Sequence, residues 1–221
     1  MSKSGTPSLE LISFHLCPYV QRSMITLKHK NVPFTVKEVD LQNPPDWFLK
    51  LSPMGKVPVL VVDGKTALFE SAVINEYLDD ITEPKLNPND PLQKAKERAW
   101  IEYASELIME MYHLIHEEDI GQFETNLKEF WDDLSKLEPV LGNGPFFRGS
   151  ELSLVDTSYA PFFLRLSWVS KLWESSFWSN IPKTRQWAAH LVTHPSVEAA
   201  TANDLRDAYV DSVEKTSWYL S

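Results

Sequence analysis

The stretch HLCPYVQR, His15–Arg22, decides how the first third of the chain is read. It holds Cys17, the only cysteine in the sequence, followed at once by Pro18. Upstream, LELISFHL (Leu9–Leu16) reads as a strand. Downstream, YVQRSMITLKHK places Val20, Met24 and Leu27 on one face of a helix. Proline is tolerated in the first turn of a helix because its missing N–H would be unpaired there anyway. Cys17 is therefore expected where a strand ends and a helix begins. Its thiol would face unpaired N–H groups and the positive end of the helix dipole, which favour thiolate, with Arg22 adding positive charge. The same position also suits an inert buried cysteine, since free cysteine is among the most buried residue types.

Working outward, FTVKEV (Phe34–Val39) reads as a second strand, rich in β-branched residues, and PPDWFLKL as a short helix. VPVLVVDGKTALFE reads as two strands around the Asp63–Gly64 hairpin signal. ESAVINEYLDD closes the unit as a helix, with Ser71 as a suitable N-cap. A helix between the first two strands implies that they are parallel, and the hairpin adds antiparallel strands, so the sheet is mixed and four-stranded. Residues 1–80 form this α/β unit. ITEPKLNPNDP (residues 81–91) has three prolines and no periodicity, and reads as a linker. Residues 92–221 read as all-α, through LQKAKERAWIEYASELIMEMYHLIHEE, NLKEFWDDLSKLEPVL and SLVDTSYAPFFLRLSWV. Ser153–Asp156 has capping-box spacing, and Pro161 is expected to kink or break its helix.

Composition narrows the classes. The 221 residues, 43% hydrophobic, suffice for a substantial core in one large or two small domains. A net charge of -10 argues against nucleic acid or an anionic membrane surface as partner, yet leaves room for a locally positive site. One cysteine excludes an intrachain disulfide framework and speaks against a cysteine-based zinc cluster. The polar MSKSGTPS lacks the apolar core of a secretory signal, and runs such as VPVLVV are too short to span a bilayer. A soluble, reducing, cytoplasmic setting is expected. His113 and His116, followed by Glu117 and Glu118, lack H-E-x-x-H spacing, so no metal is expected. Gly144–Ser150 mimics a phosphate-binding loop but has no lysine before its serine, and no G-x-G-x-x-G follows a strand.

Four motifs in order, CPYVQR, DLQNPPDWF, SPMGKVPVL and FESAVINEYLDD, followed by GPFFRGSELSLVDTSYAPFF, resemble the glutathione transferases, the omega class in particular. The resemblance implies a thioredoxin-like N-terminal domain and an all-helical C-terminal one. It implies that Cys17 is catalytic and that Tyr19 and Leu41 flank glutathione. It also implies that Val57, before a cis Pro58, pairs its backbone with the tripeptide like an added strand, and that Glu70 and Ser71 hold its γ-glutamyl end. Where the family carries a lysine for the glycine end, this chain has Pro44, leaving Lys56 or solvent to supply that charge. Met109, Tyr112, Trp168 and Trp187 are candidates for a second-substrate pocket between the domains, although each tryptophan singly suits a core.

The resemblance further implies glutathione as co-substrate, a small electrophilic or disulfide second substrate, and a homodimer. With no second cysteine, a mixed disulfide at Cys17 has to be resolved by an external thiol. Thiol transfer and dehydroascorbate reduction are expected ahead of conjugation. The competing reading is a binding protein on the same fold, of the chloride-channel-like or stringent-starvation-like kind, against which Cys17, Glu70 and Ser71 speak. A zeta-type isomerase carries little weight, because that class shows serines where this chain has Cys17 and Pro18.

Overall fold

The structure, a computed structural model, describes residues 7–217 and residue 219. Strand β1 (Leu9–Ser13) lies inside a four-stranded sheet of order β2-β1-β3-β4. It runs parallel to β2 (Thr35–Glu38), with Leu11 opposite Val36. It runs antiparallel to β3 (Val59–Val62), with Leu11 opposite Leu60, and β3 pairs with β4 (Thr66–Phe69). Asp63 and Gly64 both take positive φ, 52° and 64°, as the Asp-Gly signal requires. Helix α1 (Pro18–His29) joins the parallel strands, α2 (Asp46–Leu51) precedes β3, and α3 (Ser71–Asp80) follows β4. Strand β1 stops three residues short of the expected Leu16. The chain turns off the sheet there, with the Cys17 N–H donating to the Phe14 carbonyl at 3.0 Å, and this delivers Cys17 to the start of α1.

The second half is helical: α4 (Pro91–Ile115), α5 (Ile120–Ser135), α6 (Leu154–Trp168), α7 (Ser170–Trp173), α8 (Pro182–Val192), α9 (Pro195–Glu198) and α10 (Leu205–Thr216). Helix α5 starts earlier than its apolar pattern suggested, because the Asp119 carboxylate caps it by accepting from the Gln122 N–H at 2.8 Å. Helix α6 runs unbroken through Pro161, and every residue from Leu154 to Leu166 is buried. Helices α1, α4 and α8 pack against it on different sides, so its sequence is apolar almost all round.

The segment between α3 and α4 has neither helix nor strand, yet it is firmly held. Buried Asp79 accepts N–H groups of Leu86 (2.7 Å) and Asn87 (3.0 Å) and pairs with Lys30 at 2.8 Å. Arg148 reaches the Leu86 carbonyl from beyond α5.

Helix α1 is pinned between the sheet and the helices. Arg22, 1% exposed, donates from Nε to the Ser158 carbonyl (3.0 Å) and from Nη1 to Ser105 Oγ (2.9 Å). Arg165, 2% exposed, donates in return to Gln21 Oε1 (2.6 Å) and to the Leu16 carbonyl (3.0 Å). The Thr26 hydroxyl meets that of Thr157 at 3.2 Å.

The capping box at α6 holds more than a helix end. Asp156 accepts from Ser153 N–H (2.7 Å), Ser153 Oγ (2.6 Å), Phe147 N–H (2.8 Å) and Trp187 Nε1 (2.7 Å). An alanine there would orphan several buried donors, each costing about 1–3 kcal/mol. Asp156→Ala should lower unfolding stability by roughly 3 kcal/mol or more, read from urea denaturation at neutral pH. A loss below about 1 kcal/mol would reduce Asp156 to an ordinary helix cap.

Candidate functional site

The site grows from the unpaired amides of two helices. Helix α1 has Cys17 as N-cap and Pro18 in its first turn, with no side-chain cap. Helix α3 has Glu70 as N-cap, not Ser71 as the sequence suggested, and it too has no side-chain cap. Ser71 begins the helix proper. The first-turn N–H groups of both helices are thus open to a ligand carboxylate or a thiolate. Glu70 has φ of 69°, a conformation that costs about 1–3 kcal/mol for a non-glycine residue and persists where surrounding structure demands it.

Between these helix ends lies the turn before β3. The Val57–Pro58 bond is cis. The Ser52 hydroxyl donates to the Lys56 carbonyl (2.7 Å) and accepts the Lys56 N–H (2.9 Å), which fixes the approach to Val57. The Cys17 thiol points at this turn, donating weakly to the Val57 carbonyl at 3.9 Å.

Two cavities meet here. The larger, about 670 Å³, is lined by Cys17, Tyr19, Leu41, Lys56, Val57, Pro58, Glu70 and Ser71, so all eight residues expected around glutathione come together. Pro44 does not line it, and among the described residues Lys56 is the one lysine or arginine that does. Helix α4 adds Glu102, Ser105 and Glu106, which sequence reasoning missed because nothing local marks that helix face as facing a cleft.

The second cavity, about 380 Å³, is mostly apolar and is walled by Phe14, Leu16, Ile108, Met111, Ile115 and Val213 together with Met109 and Tyr112. Cys17, Tyr19 and Met109 belong to both. The two tryptophans lie elsewhere. Trp187 is a core residue, 2% exposed, held by Asp156 and packed on Tyr159 and Phe163. Trp168 lies one layer behind the wall, against Tyr209. Arg165 and Tyr209, which do line this cavity, were missed. A lone arginine within the apolar run APFFLRLSW was the available signal, because such a charge is seldom fully buried without a task.

The electrostatics correct one expectation. Burial pushes the Cys17 thiol up, against backbone N–H groups of Val20 and Tyr19 and the charges of Arg165 and Arg22, which pull it down. The net direction is up, opposite to the depressed value expected from the helix N-terminus alone, because the apolar wall and the cover of α4 leave a thiolate short of water. Burial also brings Arg22 and Arg165 down to about 10, so both stay charged at neutral pH.

A family model described as glutathione S-transferase, N-terminal domain, matches residues 16–81. The chain is 32% identical over 194 residues to glutathione S-transferase omega-1 of Sus scrofa, covering 86% of this chain and 79% of that one. It belongs to the glutathione S-transferase family. Its resemblance is to the omega class. Glutathione transferase Omega 3C from Trametes versicolor superposes with a TM-score of 0.79 at 28% identity, over 90% of this chain and 91% of that one. Rice GST1, in complex with glutathione, superposes with a TM-score of 0.84 at 26% identity, over 96% and 97%.

A raised thiol is neutral below its pKa and reacts as the thiolate above it. In the ligand-free protein, iodoacetamide alkylation of Cys17 should therefore keep accelerating past neutral pH, with a midpoint above the free-cysteine value of about 8.5. A midpoint below about 7 would mean that the helix N–H groups and the two guanidiniums outweigh burial.

Proposed function

We propose that this glutathione transferase works as a thiol transferase and dehydroascorbate reductase of omega type, through a mixed disulfide between Cys17 and glutathione. The observation that carries the reading is the place of Cys17 on the wall shared by both cavities, with no second cysteine in the chain to resolve an adduct. Glutathione occupies the larger cavity. Its γ-glutamyl carboxylate meets the open amides at the start of α3, its ammonium meets Glu70, and its backbone pairs with Val57. Tyr19 and Leu41 flank it, and Lys56 serves its glycine carboxylate. Met109 and Tyr112 face the second substrate.

The chemistry follows from thiol exchange. Cys17 loses its proton to solvent, and the thiolate attacks the glutathionyl sulfur of a disulfide substrate. The Cys17–glutathione bond forms as the substrate's disulfide breaks, and the substrate thiol leaves with the electron pair. A second glutathione thiolate then attacks the adduct, releasing oxidised glutathione and restoring Cys17. Conjugation of electrophiles is weak, because the cysteine bonds glutathione covalently instead of presenting its thiolate.

Mixing the protein with oxidised glutathione should give a glutathione adduct on Cys17, seen by mass spectrometry of the intact chain and its peptides. Cys17→Ala should abolish reductase turnover while leaving fold and glutathione binding largely intact. An active alanine variant would remove Cys17 from the mechanism. Glu70→Gln should raise the KM for glutathione about 10-fold or more, since a charge-assisted hydrogen bond is worth about 1.5–3 kcal/mol.

The same reading takes the protein as a cytoplasmic homodimer. Among the described residues no helix is long and apolar enough to cross a membrane. Phe69, Val73 and Leu92 are large apolar side chains 44%, 53% and 65% exposed on β4, α3 and α4, which supports a covered face there. A stable two-fold interface should bury at least ~1,000 Å². Sedimentation at micromolar concentration should show a dimer, and Val73→Glu should shift it toward monomer; a wild-type monomer would end this part of the proposal.

A further inference from the structure

Helix α9 is a single turn, yet the segment it begins reaches α1 near both of that helix's ends. In the first turn of α1, Gln21 Nε2 donates to Thr201 Oγ1 at 2.9 Å, and Thr201 donates on to the Val197 carbonyl at 2.7 Å. At the last residue of α1, His29 Nδ1 lies 3.2 Å from Ser196 Oγ. Ser196 is tied to a second histidine as well. Its N–H donates at 3.1 Å to Nδ1 of His194, the N-cap of α9. The two imidazoles lie together, ring centroids 5.7 Å apart, and Phe146 packs edge-on against His194.

This cap requires one protonation state. An N-cap side chain works by accepting a backbone N–H, and an imidazolium has two donors and no acceptor. His194 Nδ1 therefore has to be bare, with the proton of the neutral ring on Nε2. Burial holds His29 below the ordinary histidine value, helped by His194 and by Lys30, while Glu151, just ahead of α6, opposes them. Lys30 is itself paired with Asp79. Burial lowers His194 too.

We propose that His29 and His194 make α9 a proton-operated clip on α1, closed while both rings are neutral and released when they take up protons in mild acid. On release the Ser196 N–H loses its acceptor, the two charged rings repel, and the turn that presents Thr201 to Gln21 is no longer held. The partners of Arg22 and Arg165 do not titrate there, so the change is confined to the α9 side of α1. The clip does not depend on which reaction Cys17 performs. A histidine held below its ordinary value adds stability at neutral pH. That stability is lost as pH falls below about 6.5, where the unfolded chain takes up protons first.

Hydrogen exchange of the full chain, read by mass spectrometry and corrected for the intrinsic pH dependence of exchange, tests the clip. Going from about pH 7.5 to about pH 5, peptides covering residues 196–201 in wild type should lose protection about 5-fold or more, while those of β1 and β3 change little. His194→Asn keeps an N-cap acceptor, and His29→Gln keeps a hydrogen-bonding partner for Ser196; neither new side chain titrates in this range. The double variant should lose less than about 2-fold over the same interval. Unchanged protection of residues 196–201 in wild type would overturn the proposal, and so would an equal loss in the double variant. Wild type alone supplies a second measurement, the titration of its histidine NMR signals. His29 and His194 should both have midpoints below about 6.5, and a His194 midpoint at or above that value would also overturn the clip.

Discussion

Two guanidinium groups set inside the molecule hold α1 against the helical half, and the chemistry of the site depends on that joint. Arg22 reaches from α1 to α4 and α6, while Arg165 reaches back from α6 to Gln21 and to the carbonyl just before Cys17. Between them they define where α1 begins, and so where the thiol lies. Neither cavity exists without this arrangement, because each has one wall from the α/β half and another from the helices. The joint is a poor bargain for stability alone. Burial depresses both arginines to about 10, which means that carrying their charges inside the fold costs free energy at neutral pH. Well-packed apolar residues would hold the helices together more cheaply. What the arginines add is positive potential beside a sulfur that ionises reluctantly.

Much of this was legible in the residues. The mixed sheet followed from the helix between two short β-branched runs and from the Asp63–Gly64 turn, and strand order and pairing match it. Cys17 at a strand–helix junction, with Pro18 after it, carried the resemblance that named eight of the residues lining the larger cavity. The contributions of α4 and α10 were not legible. Glu102, Glu106 and Tyr209 are far from Cys17 in sequence, and periodicity tells only that a helix has an apolar face, not what the other face looks onto. Short helices such as α7 and α9 have a single turn, too little to establish a period. Trp187 illustrates the opposite trap: a large aromatic with a polar N–H fits a binding wall and a core equally well until its partner, Asp156, is known.

The thiol shows how a local rule can be outweighed. Helix N-terminal amides do favour the Cys17 thiolate, and so do the two arginines. Desolvation grows from contacts made by residues more than eighty positions away, such as Ile108 and Met109, which no reading of His15–Arg22 contains. Burial therefore favours the neutral thiol at Cys17 in the ligand-free protein, although groups that favour the thiolate are already in place.

The partners that receive the two guanidiniums are three carbonyls, one hydroxyl and one amide, none of which takes up a proton in mild acid. An ion pair with a carboxylate would weaken as its acid member is neutralised. Here neither side of the contact changes charge between neutrality and pH 3, and burial keeps dissolved salt from screening it. These five contacts are thus insulated from acidity and ionic strength, even though the molecule as a whole is strongly acidic. Changes in solution that alter the charge on the outer surface leave these hydrogen bonds as they were.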